Sequence, residues 1–144
     1  MTAGMEVKMN RQSEKITGIY CRIDYPGSPE HIMIQKERAI SYAKDNHLQN
    51  PVLFIDDGFT GTTLDRPQFQ NMVREIKAGR VQAIVVTDIG RLVRDYSLFR
   101  DFVEQVLAPH SVALHSASGG LYTPQKDNYV RLVAALFRTE GGRA

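Results

Sequence analysis

Four short runs of β-branched and apolar residues punctuate the chain: Thr17 to Ile23, Val52 to Ile55, Gln82 to Thr87 and Ser111 to His115. Between them the apolar period lengthens from two or one to that of a helix. Phe69, Met72, Val73 and Ile76 fall at i, i+3, i+4 and i+7, as do Val130, Val133, Ala134 and Phe137. Phe99, Phe102, Val103, Val106 and Leu107 make a third stripe, and Ile32, Ala39, Ile40 and Ala43 a fourth. Pro29 and Glu30 suit a first helical turn, while Ala78-Gly79 and Ala108-Pro109 suit helix ends. Strand and helix in alternation predict right-handed crossovers. The expected fold is a single α/β domain of three layers, with a mainly parallel sheet of four or five strands flanked by helices.

The predicted boundaries are a loose polar tail over residues 1–15, one folded unit over 16–140 and a short tail over 141–144, where Gly141-Gly142 would break a helix. A chain of 144 residues has room for one such core and not comfortably for two. No apolar run approaches the ~20 residues of a membrane span, and the N-terminus lacks the apolar stretch of a secretion signal. With a single cysteine, Cys21, there is no intrachain disulfide, so cytoplasm is the expected compartment. The formal charge of +2 permits contact with a polyanion without predicting one, so the clustering of the arginines carries the argument.

In a parallel sheet ligands bind beyond the carboxyl ends of the strands, and three polar loops begin there. Arg22 and Asp24, two apart on the first strand, point the same way, opposite to Cys21 and Ile23. They form a functional pair or an ordinary ion pair. After the second strand come Asp57-Gly58-Phe59-Thr60-Gly61 and then Asp65-Arg66-Pro67. The glycines allow a tight reversal, Asp65 suits a helix N-cap, and Pro67 suits the first helical position. After the third strand, in Thr87-Asp88-Ile89-Gly90-Arg91-Leu92-Val93-Arg94-Asp95, Arg91 and Arg94 are three apart. On an opening helix they share a face and could grip neighbouring oxygens of one phosphate, unless they are simply solvated. Gln35 lies on the first helix, where glutamine is usually solvated. His31, His47, His110 and His115 lack metal-ligand spacing, and neither GxxxxGK[ST] nor GxGxxG occurs, so no metal, nucleotide or other cofactor is expected.

Taken together, Tyr20-Cys21-Arg22-Ile23-Asp24, the Asp57 loop with Asp65-Arg66-Pro67, and Asp88 to Arg94 resemble the catalytic domain of the serine recombinases (resolvase/invertase family). The likeness is greatest to the large recombinases of mobile elements. It implies DNA cleavage and rejoining through a phosphoseryl link that leaves a free 3′ hydroxyl. It also implies that Arg22, Arg66, Arg91 and Arg94 hold the scissile phosphate, supported by Gln35, Asp57, Thr60, Asp65 and Asp88. The family's nucleophilic serine falls on Asp24, so catalysis is expected to be impaired. A carboxylate attacking an anionic phosphodiester would form a labile acyl phosphate. An aspartate among arginines is better placed to accept their hydrogen bonds.

The expected partner is double-stranded DNA through phosphate contacts, weak without a separate DNA-binding domain, with a homodimer or tetramer in a full-length context. A second reading is a non-catalytic pseudo-recombinase that regulates by binding DNA or an active relative. A third is a receiver-like phosphoacceptor built on Asp56-Asp57 and Asp88. It lacks the lysine after a last strand, and its acidic pair follows the second strand rather than the first.

Overall fold

The computed structural model describes residues 14–24, 29–59 and 64–123. The Val130–Phe137 stripe, Thr60 and the C-terminal tail lie outside them, as does all but the end of the N-terminal tail. The elements run β1 (Ile16–Ile23), α1 (Pro29–Asp45), β2 (Pro51–Asp57), α2 (Pro67–Lys77), β3 (Val81–Val86), a single turn α3 (Ile89–Leu92), α4 (Tyr96–Phe102), β4 (Ala113–Ser116) and β5 (Leu121–Tyr122). The sheet order is β2-β1-β3-β4-β5, with β5 alone antiparallel. This is the expected α/β architecture.

Alternation along β1 divides the core. Ile19 and Cys21 face α1 and pack with Ala39, Ala43 and Val85. Tyr20 faces the other layer, where Phe54, Phe69, Met72, Ile76, Phe99, Phe102 and Leu114 form the larger cluster. Burial pushes the Cys21 thiol up to about 11, so it is an unreactive core group.

Several local expectations shift. Gly79 does end α2: it stands at φ +79°, its N–H bonds Ile76 O, and Arg80 N bonds Glu75 O. Ala108-Pro109, however, is not a stop. Helix α4 runs on through a π-helical turn (Val103–Leu107) and a 3-10 turn (Ala108–His110). Ser111, at φ 57°, makes the break, and Val112 N returns to Leu107 O, so β4 starts at Ala113 and not at Ser111. Asp65 is not the cap of α2 either. Arg66 occupies that position without a side-chain capping bond to the helix, and the carboxylate of Asp56, at the end of β2, accepts from Gln68 N and Phe69 N at 2.9 Å each. The first turn of α2 aims its free N–H groups at the strand end, where a buried acceptor already stands.

β1 and β3 pair only as far as Ile19 with Val85 and then separate. Since β2 and β3 lie on opposite sides of β1, this gap is the point where the strand order reverses, the position at which such sheets bind ligands.

Candidate functional site

Arg22 fills that gap. Its side chain is fully buried, yet every guanidinium nitrogen has an acceptor. Nε donates to Arg91 O at 2.9 Å, Nη2 to Gly90 O at 2.7 Å, and Nη1 to Phe59 O at 2.9 Å and to Asp24 Oδ1. The carbonyls of Gly90 and Arg91 belong to α3, a helix too short to satisfy them itself. Next in line, Leu92 O accepts from Arg66 Nη2 at 2.5 Å. Two buried arginines therefore hold three consecutive carbonyls of the loop that carries Arg91 and Arg94.

The backbone of Arg22 is also taken up, although no strand pairs with it on the β3 side. Gln35 on α1 accepts from Arg22 N at 3.1 Å and donates to Arg22 O at 2.9 Å, as a neighbouring strand's peptide would. Arg91 Nη1 adds a longer bond to the same carbonyl at 3.3 Å. Asp24, with a quarter of its side chain exposed, lies between Arg22 and the half-exposed Arg94, whose Nη1 is 3.3 Å from Oδ2. Burial alone would raise the Asp24 pKa, but the Arg22 hydrogen bond and the charges of Arg22, Arg94 and Arg91 outweigh it and hold the carboxyl below its ordinary value. Burial lowers the pKa of Arg22, a shift that the Asp24 hydrogen bond and charge oppose.

A family model described as the resolvase N-terminal domain matches residues 17–141. The chain belongs to the resolvase family. Solved structures agree in fold. The N-terminal catalytic domain of TP901-1 integrase superposes with a TM-score of 0.73 at 21% identity, covering 90% of this chain and 96% of that one. A resolvase family site-specific recombinase from Streptococcus pneumoniae gives 0.64 at 23%, covering 90% and 89%. The C-terminal catalytic domain of ISC1926 TnpA, an IS607-like serine recombinase, gives 0.64 at 16%, covering 89% and 84%. No curated protein sequence matches.

Within this resolvase domain the residues singled out in the sequence divide into groups. Arg22, Asp24, Gln35, Arg91 and Arg94 meet at the gap. Asp88 stands beside them, its carboxylate 4.0 Å from Arg91 Nε. Asp57 and Asp65 are exposed at the end of β2 and before α2, respectively. Arg66 is fully buried, with its guanidinium carbon 4.7 Å from the Phe69 ring centroid and 5.5 Å from that of Tyr20. Its Nη1 donates to Tyr20 Oη at 2.8 Å, and that hydroxyl donates to Asp56 Oδ2 at 2.7 Å. Burial, countered by Arg66 and assisted by Asp56, raises the Tyr20 pKa.

Tyr20 and Asp56 went unrecognised as part of this frame. Their parity could have shown them, because Tyr20 shares a strand face with Arg22, and Asp56 shares one with the core residue Phe54. Asp56 is not free to act as the phosphoacceptor of the receiver-like reading, since its carboxylate accepts from Tyr20 and the N–H groups of α2. Among the described residues, no group of three or more His, Cys, Asp or Glu could hold a metal, and no helix is long and apolar enough to cross a membrane.

A depressed carboxylate pKa stabilises the fold above its unfolded value of ~3.9, and that contribution is lost as pH falls through the lower folded value. The melting temperature of the unaltered protein should therefore fall more steeply below about pH 4 than that of Asp24→Asn. Parallel acid limbs in a thermal titration of the two would contradict the Asp24–arginine interaction.

Proposed function

We propose that this resolvase-family domain engages DNA phosphate through Arg91 and Arg94, with Arg22 behind them, and that Asp24 takes the nucleophile's place as a built-in anion, so the domain does not cleave DNA. The observation that carries the reading is the carboxylate of Asp24 held between Arg22 and Arg94. A phosphate oxygen would need those same donors. With Oδ1 bound to Arg22 and Oδ2 to Arg94, the carboxylate is a poorer nucleophile than a free one, and its attack on phosphorus would bring two anionic centres together. Arg66, enclosed by Tyr20, Phe69 and Leu92 O, acts by fixing the loop rather than by touching DNA. The biological role that follows is that of a pseudo-recombinase, competing for DNA or for a partner.

Neutralising the built-in anion tests this reading. With Asp24→Asn, binding of duplex DNA measured by fluorescence anisotropy should tighten, and its salt dependence should steepen by about one phosphate contact. Unchanged affinity and salt slope would overturn the proposal. So would covalent capture of a DNA strand by the unaltered protein.

A further inference from the structure

The far border of the sheet carries a feature that the arginine frame does not use. β2 is the terminal strand, and among the described residues nothing pairs with its outer edge. Val52-Leu53-Phe54-Ile55 is nonetheless apolar on both faces, as in an interior strand, and Val52 and Leu53 are each 38% exposed. The strand has no lysine and no bulge against β1, and its proline stands only at the first position, so little protects the edge. Along its α2 side runs a groove of about 390 Å³ whose lining includes Ile16, Val52, Phe54, Gln68, Asn71 and Arg74.

We propose that this edge receives the chain's own N-terminal segment, residues 5–10, as an added strand antiparallel to β2. Although the segment is polar as a whole, Met5, Val7 and Met9 alternate strictly with Glu6, Lys8 and Asn10, the period of a strand with one buried face. Its tether is in the right place. Lys15 O accepts from Asn50 Nδ2 at 3.2 Å, and Ile16, the first residue of β1, is part of the groove's lining, so the chain enters β1 beside the start of β2. β2 runs parallel to β1, and a segment descending along the outer edge toward Ile16 is therefore antiparallel to it. Six residue steps from Asn10 to Ile16 reach up to ~20 Å, whereas the outer edge lies two strand spacings from β1, ~10 Å.

Hydrogen-bond parity and the apolar face together select a register. Thr17 N bonds Asn50 O and Gly58 N bonds Ile23 O, so even-numbered residues of β2 face β1, while Leu53 and Ile55 present N–H and C=O outward. Phe54 packs into the cluster beneath α2, and Val52 shares its face. Setting Met9 opposite Val52 and Val7 opposite Phe54 places Met5, Val7 and Met9 together on the groove side. Lys8 then exchanges both backbone bonds with Leu53, Glu6 does so with Ile55, and Asn10 N–H meets Pro51 O, about five bonds in all. Unbranched methionines suit an irregular groove, and the Lys8 stem covers Leu53 while its ammonium stays in water. Attachment favours this occupant over a free strand, because a short tether gives an effective concentration in the millimolar range.

Hydrogen exchange of the full chain, read residue by residue by NMR, tests the added strand. In the unaltered protein the amides of Leu53, Ile55 and Glu6 should exchange at least about tenfold more slowly than in Lys8→Pro, which removes one donor and cannot continue the ladder. Thr2→Pro, outside the strand, should leave them protected. A disulfide reads the register. Met9 and Val52 form a non-hydrogen-bonded pair with Cα atoms ~4.5 Å apart, within bridging distance. On mild oxidation, Met9→Cys with Val52→Cys should close an intrachain link at least about tenfold faster than Lys8→Cys with Val52→Cys, whose side chains point to opposite faces. Unprotected Leu53 and Ile55 amides, equal rates for the two cysteine pairs, or links only between chains would each overturn the proposal.

Discussion

Replacing Arg22 with methionine should cost roughly 3–5 kcal/mol of stability, the range for removing one member of a buried charged network. The side chain is fully buried, and its loss leaves Phe59 O, Gly90 O and Arg91 O without their donor. Methionine fills much of the volume, so the loss comes from the unmet carbonyls more than from a cavity. Against a typical total of about 5–15 kcal/mol this is a large fraction, visible as a lowered urea midpoint at unchanged slope. Arg22→Lys should recover little, because an ammonium cannot reproduce the fork that meets Gly90 O and Arg91 O together. Arg94→Ala supplies the contrast. That side chain is half exposed and its ion pair is at the surface, so its removal should cost ~1 kcal/mol or less. If the two changes proved equally mild, the view of Arg22 as the support of the Gly90–Arg91 loop would be wrong.

That contrast also marks what could be read from the sequence. The strands and helices were legible because burial imposes a period, and Ile19 against Tyr20, or Phe69 against Met72, follows from it. Convergence of Arg22, Asp24, Arg91 and Arg94 was legible because parallel strands put their following loops at one end. The depth of each arginine was not. Arg66 and Arg94 look alike in sequence, yet one is enclosed by two aromatic rings and the other is half solvated. Only tertiary packing decides that.

Tertiary packing also decides the cap of α2. Asp65 has the right position in the chain, but the N–H groups of Gln68 and Phe69 point at Asp56, whose carboxylate is already held by Tyr20. The fifth strand of an expected four or five has no periodic signal in the sequence, because a pair of residues, Leu121 and Tyr122, is too short to show one. The role of Gln35 came from family resemblance alone. No periodic signal could reveal that its amide stands in for a missing strand on both sides of the Arg22 peptide.

Asp24→Ser should form a covalent link to DNA that the unaltered protein, on the proposed reading, is expected not to form. Serine is smaller than aspartate and uncharged, so Arg94 and the outer face of Arg22 are released to hold a phosphodiester while the hydroxyl faces the same gap. In the expected step, the introduced hydroxyl oxygen bonds to phosphorus, the bond from phosphorus to the 3′ oxygen breaks, and the proton passes to that oxygen, leaving a phosphoseryl link. Arginine hydrogen bonds to the non-bridging oxygens would stabilise the charge that develops. The readout is a protein–DNA adduct that survives denaturing electrophoresis, sought with the full chain on a nicked duplex that traps the cleaved strand. Asp24→Ala should form none while binding DNA about as well as Asp24→Asn. An adduct with serine alone would mean that the arginine frame remains competent and Asp24 is what silences it. Absence of an adduct from a variant that binds DNA would mean that holding the phosphate and activating a nucleophile require different groups, and that Arg22, Arg91 and Arg94 supply only the first.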